Sequence, residues 1–183
     1  MEIIPFEELK TAEWSGGTTT ELFIYPKSAS YKKMDFDFRI STATIEVKTS
    51  KFTSLPGVKR TLMVLNGTLE LEHKGQHSTI LEAFERDTFS GDWETISGGM
   101  AEDFNLMIRN PELNGFVRHI QLSKKKNLTL QTEKHGFIYI YKGTLGLNDE
   151  LQLTSGDSIY FNEKEEVALV GISNALLIYV LIE

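Results

Sequence analysis

Cysteine is absent from the 183-residue sequence, and proline and histidine occur only four times each. Without cysteine the chain cannot form disulfides, thiolate nucleophiles, zinc ribbons or iron–sulfur clusters, because each of these needs its sulfur. Basic residues are also few, since 19 Lys and Arg face 26 Asp and Glu, a formal charge of −7. A polyanion would meet net repulsion, so we expect no nucleic-acid partner.

Two kinds of apolar segment are missing as well. Residues 1–8 have neither the basic start nor the sustained apolar stretch of a secretory signal. The longest apolar run, residues 175–182, is far shorter than the roughly 20 residues that span a bilayer. We therefore expect a cytoplasmic protein with no membrane partner.

Most apolar residues either alternate with polar ones or sit in short runs bounded by Gly, Asn, Asp or Ser, two patterns typical of half-buried and fully buried β-strands. Examples are residues 36–40, 61–65, 104–108, 137–141 and 176–180. Helical signals are limited to single turns near residues 5–9 and 163–167. The sequence therefore predicts an all-β fold with few short helices.

An internal repeat divides the chain. Residues 65–71 (LNGTLEL) resemble residues 141–147 (YKGTLGL), and residues 89–92 (FSGD) resemble residues 154–157 (TSGD), in the same order. A strand, a Gly turn and a second strand resemble the cupin module, a small β-barrel or sandwich whose closure removes exposed strand edges. We predict a bicupin in one compact unit, with residues 1–112 as the first lobe and residues 113–183 as a degenerate second lobe.

The histidines do not show the pattern of a metal-dependent cupin, which needs two histidines one residue apart, a carboxylate and a later histidine. His73 and His77 flank a predicted hairpin turn and could take up a transition metal there. Because no carboxylate pattern accompanies them, we interpret them as a solvated loop tip. His119 and His135 stand alone and are interpreted as surface or hydrogen-bonded residues. We expect no metal and no cofactor.

The arginines Arg39 and Arg60 are candidates for anion binding. Arg39 alternates with Ser41 and Ala43 on one strand face, where small neighbours leave room for a ligand carboxylate gripped by the guanidinium. The alternative is the solvent-exposed face of an antiparallel strand. Arg60 follows a Pro-Gly turn at residues 56–57, which would place it at the mouth of a barrel.

Two further polar residues, Asp103 and Asn105, alternate with the apolar residues of the strand at 104–108. Asn105 can donate and accept hydrogen bonds, and Asp103 could be a general base or an arginine partner, unless both lie on a solvent face. The comparable stretch of the second half, residues 175–181, is almost wholly apolar, and Gly136 stands where the first half has Arg60. We therefore expect any polar pocket in the first lobe.

A glycine pair follows Trp14 in residues 14–22 (WSGGTTTEL), and glycine lets backbone segments approach closely. The segment lacks the Gly-x-x-x-x-Gly-Lys pattern of a phosphate loop. A tight turn packed under Trp14 and a pocket wall are both compatible with it.

Taken together, residues 14–22, 25–26, 37–43, 52–60, 65–67 and 103–107 resemble the HutD/Ves family over the first two-thirds of the chain. The resemblance implies a bicupin without the usual cupin metal, connected in some bacteria with histidine utilisation. Family members have been proposed to bind an acidic intermediate, N-formylglutamate, as regulators or accessory proteins. Carried over by motif, Arg60 is the carboxylate-binding arginine, and Arg39, Asp103 and Asn105 occupy the other polar positions. The chain departs from the family after Trp14, where Ser15 and a shorter glycine run intervene.

Three functions are consistent with the sequence. The leading hypothesis is an accessory or regulatory protein that binds a small acidic metabolite through Arg60, Arg39, Asn105, Asp103, Ser41 and Trp14. The alternatives are a metal-independent isomerase or hydrolase that uses Asp103 beside Arg60, and an interaction scaffold without a ligand. We do not expect an enzyme, although the sequence leaves a reaction open, and it leaves a homodimer open too.

Overall fold

A computed structural model describes residues 1–148 and 151–183. These residues form antiparallel strands and two single-turn 3-10 helices at Phe6–Glu8 and Tyr31–Lys33, which confirms the all-β prediction. The second helical turn, predicted near residues 163–167, is wrong: Glu163 and Lys164 have φ of 58° and 65° and form a turn before a strand. Among the described residues, no helix is long and apolar enough to cross a membrane.

The strands in chain order are β1 (Glu2–Ile4), β2 (Lys10–Trp14), β3 (Gly17–Tyr25), β4 (Phe38–Ile45), β5 (Thr49–Lys51), β6 (Lys59–Gly67), β7 (Leu69–His73), β8 (His77–Leu81), β9 (Arg86–Ser90), β10 (Thr95–Gly98), β11 (Ala101–Ile108), β12 (Gly115–Leu122), β13 (Asn127–Gln131), β14 (His135–Lys142), β15 (Thr144–Leu147), β16 (Leu151–Thr154), β17 (Ser158–Asn162), β18 (Glu166–Gly171) and β19 (Ala175–Ile182). All the strand pairs within the sheets are antiparallel, for example β1 with β17, β4 with β11 and β14 with β17.

The chain divides into two compact units. One is Lys10–Leu113, and the other combines Met1–Leu9 with Asn114–Glu183. The sequence predicts residues 1–112 as the first lobe, whereas the first nine residues belong with the Asn114–Glu183 unit. The reason is that β1 pairs with β17, with Glu2 opposite Tyr160, and the N-terminal ammonium lies 2.7 Å from Glu165. The added strand covers the edge of β17, which would otherwise present unpaired backbone groups.

The Lys10–Leu113 unit contains a six-stranded sheet, β2-β3-β4-β11-β6-β9, and a four-stranded sheet, β5-β10-β7-β8. Apolar residues at alternate positions of both sheets form a shared core that includes Leu62, Val64, Leu69 and Leu71. Burial of this apolar surface is the main driving force that holds the sheets together. The strand pattern thus positions the polar residues of β4, β6 and β11 on neighbouring strands of one sheet.

The other unit repeats the same arrangement. Its sheets run β1-β17-β14-β19-β12 and β13-β18-β15-β16, so β4 to β11 recur in order as β12 to β19. Gly67 and Gly143 occupy equivalent turns with φ of 87° and 98°, a conformation that favours glycine, which confirms the first sequence match. The second match is wrong in detail, because Gly91 follows β9 whereas Gly156 precedes β17, the equivalent strand.

Candidate functional site

A cavity of about 570 Å³ lies in the Lys10–Leu113 unit, within the usual range for small-molecule sites. All six residues that we predicted to bind a ligand line it: Arg60, Arg39, Asn105, Asp103, Ser41 and Trp14. Their convergence on one cavity follows from the sheet, while ligand binding itself stays a prediction. Histidine does not occur among the described residues that line this cavity.

Strand pairing explains why the two arginines are neighbours. Met107 of β11 is opposite Arg39 of β4 on one side and opposite Arg60 of β6 on the other, and cross-strand partners share a sheet face. Phe38 and Ile40 alternate with Arg39 and are fully buried on the other face. Arg39 is 6% and Arg60 7% exposed, so the alternative of a solvent-exposed strand face is wrong.

Arg60 is a buried cation of the cavity with an incomplete set of hydrogen-bond partners. Its Nη2 donates to Asn105 Oδ1 at 3.1 Å, and its guanidinium lies 4.7 Å from the ring centre of Phe52 and 5.3 Å from that of Phe89. Its Nε is buried and has no acceptor among the described residues. Burial lowers the pKa of Arg60 to about 10, which still leaves it charged at neutral pH. A buried, unsatisfied donor of this kind calls for an acceptor from water or a ligand.

Arg39, by contrast, is already engaged. Its Nε donates to Glu21 Oε2 at 2.6 Å, its Nη1 donates to Ser41 Oγ at 3.2 Å, and its guanidinium lies 4.5 Å from the ring centre of Tyr31. The ion pair with Glu21 neutralises much of its charge. Ser41 therefore contacts Arg39 directly, and Arg60 is the buried arginine of the cavity that, unlike Arg39, has no glutamate or aspartate at ion-pair distance among the described residues.

Asp103 and Asn105 extend the polar network from Arg60. The Asn105 amide donates to Asp103 Oδ1 and accepts from Arg60, which fixes the orientation of the amide. Burial raises the pKa of Asp103 to about 7, against the opposing effects of Arg60 and of the Asn105 hydrogen bond. A carboxyl group with this pKa can exchange a proton near neutral pH.

The turn after Trp14 packs tightly against Trp14, and Trp14 lines the cavity. Both interpretations of this segment, a tight turn and a pocket wall, therefore apply. A Cβ on Gly16 would lie 2.1 Å from the Trp14 ring, and a Cβ on Gly17, where φ is 146°, would lie 1.8 Å from the Thr44 carbonyl oxygen. Neither position can accept a side chain without displacing its neighbour. Trp14 itself is 39% exposed and lines the cavity.

Sequence reasoning missed several residues that line the cavity, among them Glu21, Tyr31, Phe52, Lys10, Lys32 and Lys51. Glu21 and Phe52 fall inside the segments that carry the family resemblance, and Glu21 shares its strand face with Thr19, which also lines the cavity. Alternation along β3 could therefore have indicated Glu21. Tyr31 lies on a short 3-10 helix capped by Ser30, and no periodic signal points to it.

The histidine pair lies apart from this cavity. His73 and His77 face each other across the β7-β8 hairpin as predicted. The interpretation as a solvated loop tip is wrong for His73, which is 1% exposed. A carboxylate also accompanies the pair, because Asp87 of β9 contacts both rings. In the second unit, His135 is hydrogen-bonded to Tyr160 at 2.8 Å and His119 is exposed, both as interpreted.

Comparison with known proteins agrees with this architecture. Among solved structures, a conserved protein of unknown function, PA5104 from Pseudomonas aeruginosa PAO1, has a TM-score of 0.82 at 20% identity, covering 100% of this chain and 98% of that chain. HutD from Pseudomonas fluorescens SBW25, solved in a formate condition, has a TM-score of 0.74 at 20% identity, with the same coverage of 100% and 98%. A cupin 2 conserved barrel domain protein from Leptotrichia buccalis has a TM-score of 0.61 at 9% identity, covering 100% and 96%.

These structures establish the fold as a duplicated cupin-like one, and their low identities carry nothing beyond the fold. No curated protein matches the sequence significantly. The family model of HutD, however, matches residues 6–177, almost the whole chain. The chain therefore belongs to the HutD family.

Proposed function

We propose that this protein binds a small carboxylic acid in the cavity of the Lys10–Leu113 unit, with Arg60 as the principal anion-binding group. The observation that carries the proposal is the Nε of Arg60, a buried donor without an acceptor among the described residues, on a charged side chain that lines the cavity. A carboxylate is the natural partner of a planar guanidinium, because the two can form parallel charge-assisted hydrogen bonds.

The balance of charge in the cavity favours an anion. Arg39 and Glu21 form an ion pair at 2.6 Å, while the carboxyl group that interacts with Arg60 is Asp103, whose raised pKa of about 7 keeps part of the population neutral at physiological pH. Lys10, Lys32 and Lys51 also line the cavity. A second carboxylate of the ligand would meet one of these lysines, so a dicarboxylic acid fits the arrangement.

N-formylglutamate is our candidate for this ligand, and an accessory or regulatory role in histidine utilisation is our candidate for the physiology. The support is membership of the HutD family together with a cavity that suits an acidic metabolite in size and charge. The scaffold hypothesis called for a filled first barrel, whereas this unit has a cavity of about 570 Å³.

Calorimetric titration tests the proposal. We would titrate N-formylglutamate, glutarate and formate, with glutaramide as the uncharged control. Loss of a charge-assisted contact of about 1.5–3 kcal/mol should weaken binding by 10-fold or more in Arg60→Ala. Arg109→Ala is the matched control, because it removes the same charge from an exposed position just after β11. Equal affinity of Arg60→Ala and the unmutated protein would refute the assignment, as would equal binding of glutaramide.

A second candidate function, a metal-independent enzyme, is favoured by one observation. Asp103 lines the cavity close to Arg60 and has a pKa raised to about 7, which suits a general base. A time course by NMR, with N-formylglutamate and wild-type protein, would detect deformylation as released formate. If formate is released by the wild-type protein, and Asp103→Asn abolishes the release but still binds the substrate, the protein is an enzyme. If the substrate stays unchanged, the enzyme hypothesis fails and the binding function is the one that stands.

A further inference from the structure

We propose that His73, His77 and Asp87 form a binding site for a divalent first-row transition metal ion, outside the carboxylate cavity. Each residue comes from a different strand, β7, β8 and β9, and one ligand atom of each lies within 4.8 Å of the others. Two imidazoles and one carboxylate are ligands that such ions accept. Among the described residues, no other group of three potential ligands converges in this way.

The distances suit an ion. Asp87 Oδ2 lies 2.9 Å from His73 Nε2 and 2.8 Å from His77 Nε2. With metal–ligand distances of about 2.0–2.1 Å, adjacent ligand atoms lie about 3 Å apart in an octahedral site and about 3.4 Å apart in a tetrahedral one. The two distances to Asp87 therefore need to change by at most a few tenths of an ångström to receive a metal ion, and the ligand nitrogens of the two imidazoles lie within 4.8 Å of each other.

Contacts behind the ligands hold them in position. His73 Nδ1 lies 2.8 Å from Thr95 Oγ1, and Asp87 Oδ1 accepts from the Thr88 backbone N–H at 2.8 Å. These contacts use His73 Nδ1 and Asp87 Oδ1, and they leave His73 Nε2 and Asp87 Oδ2 for an ion. Hydrogen bonds of this kind orient metal-ligating groups and contribute to metal affinity.

The Thr95 hydroxyl can hydrogen-bond His73 Nδ1 in either tautomer of the imidazole. Without a metal, the hydroxyl donates to His73 Nδ1, and His73 Nε2–H donates to Asp87. With a metal on Nε2, the proton must sit on Nδ1, and Thr95 then accepts it and donates to the Trp93 carbonyl, which lies 3.4 Å away. The same hydroxyl therefore satisfies His73 in either state. The imidazole keeps one proton, which moves from Nε2 to Nδ1 and leaves Nε2 free for the metal.

The surroundings of the ligands suit a site that is closed on one side. The side chain of His73 is fully buried, with its ring 4.4 Å from that of Phe89, whereas the side chain of His77 is 41% exposed. Water could complete the coordination on the side of His77. Arg60 approaches the same aromatic ring, since its guanidinium lies 5.3 Å from the ring centre of Phe89.

Such an ion would act as a structural clamp. His73 and His77 belong to the four-stranded sheet and Asp87 to the six-stranded sheet, so one ion would connect the two sheets of the Lys10–Leu113 unit. Because binding to the folded state alone raises stability, the melting temperature should rise with metal concentration.

Cobalt(II) is the probe that tests this site, in untagged protein. Trp93 lies 5.8 Å from the His77 ring, and Trp14, the other of the two tryptophans, lies in the cavity. In a Trp14→Phe background, bound Co²⁺ should quench the remaining Trp93 fluorescence in a saturable, one-to-one manner and give a visible absorption band. Zn²⁺ should compete for the same site and reverse the quenching.

Variants of the cluster make the test specific. His73 is left unchanged, since it is buried and its replacement could unfold the protein, and buried Thr95 is replaced by valine, which has the same shape. His77→Gln and Asp87→Asn should each weaken Co²⁺ binding by more than about 100-fold, and Thr95→Val by about 10- to 100-fold, with unchanged circular dichroism. His119→Gln, which removes an exposed histidine of the other unit, is the control and should bind as the unmutated protein does. Absence of saturable binding at millimolar Co²⁺, or equal affinity of His77→Gln and wild type, would overturn the proposal.

Discussion

Arg60 and Gly136 occupy the same position in the two copies of the barrel. Arg60 is opposite Met107 in the closing strand β11, and Gly136 is opposite Leu181 at the same position of β19. Where the first copy has a guanidinium, the second has the ring of Phe161, since a Cβ on Gly136 would lie 2.4 Å from that ring. One copy therefore keeps a polar cavity, and the other fills the equivalent position with an aromatic side chain.

Gly136→Ala should destabilise the protein by about 1–3 kcal/mol, because Phe161 is fully buried and has little room to move. The free energy of unfolding in urea measures the change. Gly98→Ala is the matched control: it lies in a strand, and its nearest neighbour would be Glu70 at 3.7 Å, an ordinary contact. If the two variants have the same stability, the close packing of Phe161 on Gly136 is not the constraint we infer.

Asp103 should make the protein less stable as pH rises from about 4 to 7. Its pKa is 3.8 ordinarily and about 7 in the fold, so in this window the unfolded chain loses the proton while the folded chain still holds it. The stability that protonated Asp103 contributes to the fold is fully present below about pH 4 and is lost above about pH 7. At about 1.4 kcal/mol per pKa unit, the loss is of order 4 kcal/mol.

The difference in unfolding free energy between wild type and Asp103→Asn, measured in urea from pH 4 to 8, isolates this effect. Acid groups with lowered pKa, such as Glu94, contribute equally to both proteins and cancel. Glu112→Gln, which replaces an exposed carboxylate in the turn after β11, serves as the control and should give a flat difference. A flat difference for Asp103→Asn as well would contradict the raised pKa.

Much of this architecture could be read from the sequence, and the limits have specific causes. Alternation placed Arg39 and Ser41 on one face and Phe38 on the other, but it could not say which face is inside, because that depends on pairing between strands distant in sequence. The same limit hid Asp87, which joins His73 only through the neighbouring strand β9. The FSGD match failed because a turn motif carries no information on which strands it connects.

Binding of a carboxylate should be accompanied by proton uptake above pH 7. An anion beside Arg60 would repel ionised Asp103 and so raise its pKa further, which means that ligand and proton favour each other. Affinity should therefore be higher at pH 6 than at pH 8. Titrations in two buffers with different ionisation enthalpies measure the protons taken up, and Asp103→Asn should take up none. Equal proton uptake by the variant would show that another group is responsible.

Glu21→Gln should raise the affinity for a monocarboxylate about 2- to 5-fold, since a partly exposed ion pair is worth up to about 1 kcal/mol. In the wild-type protein, Glu21 occupies Arg39 at 2.6 Å, and its side chain is 37% exposed. The substitution leaves Arg39 with Ser41 as its partner and one more unpaired positive charge in the cavity. Calorimetry with formate and glutarate at pH 7 measures the change, with Glu112→Gln as the control for net charge. Weaker binding would instead mean that Glu21 is needed to aim Arg39 into the cavity, and that both arginines grip the ligand.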